Sequence, residues 1–437
     1  MLHYILPIIW LSLIFFLICL FLYLRKKKNN EILYIIIPMI CIGIWALHSL
    51  IIIYIRQNIP FWDFGVYYYS GRQLLIDPNR FYKEDYGFWV GITSLPFFCM
   101  LWAISISLLP YNIAYFVWYG FHYICAVLFI LEFNKILKLL GVKEKIHRFL
   151  FLMVISNGYL IFLQFALNQS KFFVGALLLF ILRREIQYKK EEKEKDFKYK
   201  FITYFLFVMI VGMIPFFLFL LLIFIFHDIP LGELFEKENL KTYGLVIIIF
   251  LAQNFLFFIY PGLIFDYYHV FRYFQGVQLY SLGYYLVFIK KIFFIPPRAK
   301  FILSFIRLIF MYVIIAFLLI TKKFKIHEKF SYFALSFLLT NTLAEKTLII
   351  LFPLILLIFI PFLHQDEIGK DFIKNNKYVL IGLLSVLCIY LTEGVENPFY
   401  PNLFFGTAGY LIFTLLLGIC LLKLHLDKDF YIVETKS

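Results

Sequence analysis

The feature that most constrains this chain is the length of its apolar runs. Residues 3–24 and 32–55 are almost free of charge, and the basic stretch "RKKK" at 25–28 lies between them. Each run exceeds the about 18–20 apolar residues that take a helix across roughly 30 Å of hydrocarbon. The chain is 63% hydrophobic and only 16% charged. Few charges are left to cover so much apolar surface with water-facing groups, so the sequence predicts an all-α polytopic membrane protein.

The runs predict about thirteen transmembrane helices at 3–24, 32–55, 112–133, 147–164, 166–183, 201–213, 215–227, 242–260, 301–320, 331–344, 346–363, 377–392 and 404–423. The first run is too long, and has its basic residues on the wrong side, for a cleaved signal peptide. Basic loops stay in the cytoplasm, which places the N-terminus outside and the C-terminus inside. Loops assigned to the cytoplasm hold 29 of the 41 Lys and Arg residues, and the net charge of +14 follows from them. Nucleic-acid binding is not expected, because these cations lie in short loops between apolar runs.

Two segments need a choice. Residues 92–109 are expected to form re-entrant or interfacial helices ended by Pro110, because a span there would move the five basic residues of 134–148 outside. Residues 201–227 are expected to break at Pro215 into two short spans, since the sequence on both sides is charged. The resulting organisation is an extra N-terminal helix and basic loop at 1–31 and a main helical domain at 32–437. That domain carries a large outer loop at 56–111, a charged cytosolic loop at 183–200 and an outer flap at 261–300.

Motifs for ATP hydrolysis, zinc proteolysis and serine hydrolysis are missing. Cys19, Cys41, Cys99, Cys125, Cys388 and Cys420 all sit in apolar runs without ligand spacing, which points to neither a disulfide framework nor a zinc site. Polar residues next to apolar runs therefore carry the functional reading. The stretch "IPFWDFGVYYYSGRQLLIDPNRFY" sets Asp63 between aromatic rings, with Tyr67 and Arg72 after it. Apolar surroundings raise a carboxylate pKa and make it a better base near neutrality.

"LQFALNQSKFF" places Asn168, Gln169 and Lys171 at a polar turn. Amides there suit sugar hydroxyls, and the lysine suits a phosphate. "TNTLAEKTLIILFP" adds Glu345 and Lys346, and the Tyr-rich flap adds Arg272.

These blocks resemble glycosyltransferase family 87, membrane enzymes of the GT-C fold that use polyprenyl-phosphate sugars. The likeness is carried by "DFGVYYYSGRQLL", "SLPFFCMLWAISISLLP", the "NQS" turn and "LLTNTLAEKTLIILFPLILL", over roughly residues 50 to 365. It implies a GT-C-like bundle with interfacial helices in its first outer loop. The family's early acid falls on Asp63 and its arginine on Arg72. Two positions depart from the pattern: Ile214 precedes Pro215 where a lysine is usual, and Glu345 and Lys346 stand where paired histidines are usual.

The resemblance implies a multi-pass plasma-membrane hexosyltransferase, mannosyltransferase-like. It would move mannose, another hexose or arabinofuranose from a polyprenyl-phosphate donor to a lipid or glycan acceptor, with inversion. Asp63 would be the catalytic base. Arg72, Tyr67, Asn168, Gln169, Lys171, Arg272, Glu345 and Lys346 would bind substrate and phosphate, with the lipid bilayer as the remaining partner. No metal is required by this reading, although a divalent ion is compatible with it. A transporter or flippase for a lipid-linked or small substrate is the alternative.

Overall fold

A computed structural model describes residues 32–56, 62–83, 94–143, 145–156, 164–166, 168–270, 297–321, 324–340 and 344–357, with the single residues 161 and 360. Among them the regular structure is helical. In chain order the helices are α1 (Leu33–Arg56), α2 (Trp62–Ile76), α3 (Pro96–Ala103), α4 (Tyr111–Leu139), α5 (Lys145–Ser156), α6 (Lys171–Lys190) and α7 (Phe197–Met213). They are followed by α8 (Leu218–Phe226), α9 (Lys237–Gln253), α10 (Leu256–Ile259), α11 (Pro297–Ile320), α12 (Ile326–Thr340) and α13 (Ala344–Leu356).

Local sequence explains where several of these begin and end. Pro110 occupies the N-cap of α4 in an extended conformation, since proline has no N–H to give to a preceding helix. After 29 residues α4 ends at Leu139, two positions before Gly141, whose φ of 85° is left-handed. Val142 N–H bonds Leu137 O at 3.0 Å and Gly141 N–H bonds Lys138 O at 3.2 Å, the paired bonds that close a helix around a left-handed glycine. Asp196 caps α7, its carboxylate accepting the Tyr199 N–H at 2.7 Å. Pro215 separates α7 from α8 and holds Ile214 extended, at φ −138° and ψ 91°, as a residue before proline prefers.

The core is built around the pair α4 and α6, with α13 and α7 also against α6, and α1 and α5 against α4. A Cβ at Gly175 would come within 2.8 Å of the Phe129 ring, so the glycine sets the close approach of α6 to α4. Phe129, Phe133, Phe172, Leu178 and Leu182 are fully buried there. Beside it α2 packs on α3, where a Cβ at Gly71 would meet the Ser107 hydroxyl and come within 2.9 Å of the Ala103 backbone nitrogen.

The expected thirteen-span GT-C-like bundle is corrected by the helix lengths. Among the described residues, two helices are long and apolar enough to cross a membrane by length and composition: Leu33–Ile51 within α1, and α4. The helix α5 has 12 residues, α8 has 9, α12 has 15 and α13 has 13, while α7 and α9 have 17 each. A span needs about 20. Helix α6 reaches 20 residues, but its last two turns carry Arg183, Arg184, Glu185, Lys189 and Lys190. Helix α11 begins with Arg298 and Lys300, and its continuous apolar stretch is Met311–Ile320. The runs expected at 3–24, 377–392 and 404–423 lie outside the described residues.

Candidate metal centre

Three helix ends meet at one polar cluster. Glu185 projects from the second half of α6. A connection at 191–196 then turns the chain back into α7, which brings Tyr199 on its first turn. His227 and Asp228 follow the last residue of α8. The α6 end closes through paired bonds like those of α4: Lys193 N–H to Tyr188 O at 3.0 Å and Glu192 N–H to Lys189 O at 3.4 Å. Glu192 takes the left-handed position, at φ 48°. This turn carries Lys195 back over the end of α6.

The Glu185 side chain is fully buried and His227 nearly so, while Asp228 sits at the rim. The His227 Nδ1 lies 2.7 Å from the Phe224 carbonyl. A carbonyl can only accept, so Nδ1 carries the hydrogen and satisfies a backbone oxygen left open at the end of α8. The Nε2 atom then faces Asp228 Oδ2 at 2.8 Å and Glu185 Oε1 at 3.1 Å. The other two carboxylate oxygens are already engaged. Glu185 Oε2 accepts from the Tyr199 hydroxyl at 2.7 Å, and Asp228 Oδ1 accepts from Lys189 at 2.9 Å.

Two oxygens that only accept thus converge on one ring nitrogen, with the Lys195 ammonium 2.5 Å from Glu185 Oε1 and 3.6 Å from Asp228 Oδ2, and further positive charge at Nε2 would hold them there. The imidazolium proton is one answer. Burial pushes the His227 pKa down, but the hydrogen bonds to Asp228 and Glu185 and the charges of both outweigh it, and the net shift is upward. Burial likewise raises Glu185, yet the His227 bond and the Lys195 charge bring it down to about 2. Asp228 is lowered in the same way, with burial overcome by His227 and Lys189.

A divalent ion is the second answer. Glu185, His227 and Asp228 each offer one ligand atom, and these atoms lie within 4.8 Å of one another. Metal–nitrogen and metal–oxygen bonds of about 2.0–2.2 Å put neighbouring ligand atoms roughly 3.0–3.4 Å apart. Nε2 lies 3.1 Å from Glu185 Oε1, within that range, and 2.8 Å from Asp228 Oδ2, slightly inside it. A ring whose other nitrogen donates to a backbone carbonyl has the arrangement that fixes a metal-binding histidine in its tautomer.

The residues singled out from the sequence lie elsewhere. Asp63 is in the first turn of α2, and Arg72 lies nine positions further along the same helix. Arg72 is exposed, with its guanidinium 5.9 Å from the centre of the Tyr68 ring. Tyr67 stacks on Trp102 and its hydroxyl reaches the Ser170 hydroxyl at 3.2 Å.

Asn168 and Gln169 are buried. Asn168 has a left-handed φ of 51°, accepts the Trp118 ring N–H at its carbonyl at 3.0 Å, and lies 3.4 Å from His122 Nδ1. Tyr67 is thereby brought to the 168–170 turn, beneath Trp102 and Trp118. Lys171 opens α6, half-buried. Glu345 and Lys346 are in the first turn of α13, and Arg272 lies outside the described residues.

Sequence reasoning missed Glu185, His227, Asp228 and Lys195. The charges of 183–200 read as a solvated loop, and no motif joins residues 42 positions apart. The available signal was "HD" placed directly after the wholly apolar "LFLLLIFIF".

No family model, no curated protein and no solved structure matches this chain. The resemblance to glycosyltransferase family 87 is corrected accordingly. With the multi-span architecture also set aside, sugar transfer from polyprenyl phosphate, the transporter alternative, the lipid-linked and bilayer partners and the multi-pass plasma-membrane location lose the support they rested on.

Proposed function

We propose that this chain binds one divalent transition-metal ion through Glu185 Oε1, His227 Nε2 and Asp228 Oδ2, and that the ion ties α6 to the end of α8. The observation that carries this reading is the convergence of two carboxylate oxygens on a ring nitrogen whose partner nitrogen is committed to Phe224. One imidazole with two carboxylates suits Zn²⁺, Mn²⁺ or Fe²⁺ in preference to a soft, thiolate-seeking ion. The two carboxylates neutralise a dication, which offsets the cost of placing it beside the buried Glu185.

The test is unfolding of the purified chain, stripped with chelator and then given Zn²⁺ or Mn²⁺. Ion bound to the folded state alone stabilises it by about 2.7 kcal/mol at a hundredfold excess over the dissociation constant. That shift is expected in the wild type and absent in Asp228→Asn. Equal melting with and without each metal in the wild type would refute the proposal.

A further inference from the structure

We infer that Lys195 is a built-in counter-cation of this centre, holding the ion's place until metal enters and displaces it into solvent. The inference rests on the metal reading above and concerns its regulation. The ammonium lies 2.5 Å from Glu185 Oε1 and 3.6 Å from Asp228 Oδ2. Those are the two oxygens assigned to the metal. The other oxygen of each carboxylate is taken, by Tyr199 and by Lys189. Lys195 therefore touches the ligand set itself rather than the periphery of the cluster.

Two cations cannot share these oxygens. Like charges at this separation repel strongly in surroundings of intermediate polarity, and a dication doubles the repulsion. Entry of metal requires the ammonium to leave. The geometry allows it to do so. Lys195 sits in the connection between α6 and α7, its side chain 31% exposed while that of Glu185 is 0%. The flanking structure does not depend on it, because Asp196 caps α7 and the Lys193 N–H closes α6 without its help. The remaining charged group at the cluster, Arg184, stays apart, its guanidinium 4.7 Å from the centre of the Tyr199 ring. Metal occupancy is thus coupled to exposure of one lysine on a surface turn, which makes the turn a reporter of the ion.

The experiment is metal titration of the purified full chain together with amine acylation read by peptide mass spectrometry. In the wild type, Zn²⁺ or Mn²⁺ is expected to raise acylation of Lys195 several-fold while Lys198 and Lys200 stay constant. Lys195→Met is expected to bind the ion at least about tenfold more tightly, because the competing charge is gone. Lys195→Arg, which keeps the charge, is expected to retain the wild-type affinity. Binding by Lys195→Met alone would overturn the inference, because metal would then never displace the lysine in the native chain. Binding of equal strength in wild type and Lys195→Met, with Lys195 acylation unchanged by metal, would overturn the counter-cation and leave the metal centre standing. Absence of binding in every form would overturn both. The acylation readout uses the wild type, so it decides the matter even where a variant fails to fold.

Discussion

Replacing Glu185 with glutamine tests the cluster without metal. The carboxylate is fully buried and meets three donors: Lys195 at 2.5 Å, Tyr199 at 2.7 Å and His227 at 3.1 Å. The amide keeps the volume, removes the charge and turns an N–H₂ group toward one of those donors. The magnitude follows from the titration of the native group. Its pKa falls from 4.5 to about 2 on folding, and at 1.36 kcal/mol per unit that is about 3 kcal/mol of stabilisation at neutral pH. A depressed native pKa contributes fully above the unfolded value and is lost as pH falls through the native one. The gap between wild type and Glu185→Gln, measured by denaturant unfolding in chelator, is therefore about 3 kcal/mol at pH 7. It narrows to roughly half of that at pH 3 and nearly closes by pH 2. A gap below about 0.5 kcal/mol at pH 7, or one that stays constant down to pH 3, would refute the reasoning, since a surface pair gives no more than that.

Three further outcomes are expected. In chelator, His227→Gln destabilises the protein more at about pH 6 than at about pH 9, because a raised native pKa stabilises below the ordinary histidine value and is lost as pH rises through the native one. A pH-independent difference in unfolding would contradict the imidazolium bridge. Gly71→Ala costs about 1–3 kcal/mol by overpacking, since its Cβ would sit within 2.9 Å of the Ala103 backbone nitrogen, which cannot move like a side chain; an unchanged melting midpoint would contradict that contact. Asp196→Ala costs about 1 kcal/mol through loss of the α7 cap, and amide exchange at Tyr199 should quicken with it.

Helix boundaries were legible in the sequence at two prolines. The break at Pro215 and the start of α4 after Pro110 follow from residues that leave the backbone little choice. The reading of apolar runs as spans failed for a physical reason. Apolar composition reports burial, and a helix that is hydrophobic all round is buried as readily by other helices. In α8 the nine residues "LFLLLIFIF" bury Leu220, Leu221, Ile223, Phe224 and Ile225 against the rest of the fold. The amide turn at Asn168 was visible as a polar interruption. Its burial beneath Trp118 was not, because that depends on helices 50 residues apart in sequence. The charged 183–200 stretch hid its one fully buried acid among solvated neighbours. Nothing local separates Glu185 from Glu191 or Glu194 until His227 and Tyr199 are brought to it.

The central claim is that Glu185, His227 and Asp228 hold a divalent ion. Calorimetric titration of the chelator-stripped full chain with Zn²⁺ and Mn²⁺, repeated on His227→Gln, tests it most directly. The account predicts one ion per chain in the wild type and none at the same concentrations in the variant. A wild type that takes up neither ion, or a variant that binds as the wild type does, would contradict it and leave the cluster as an ion-pair bridge among three helix ends.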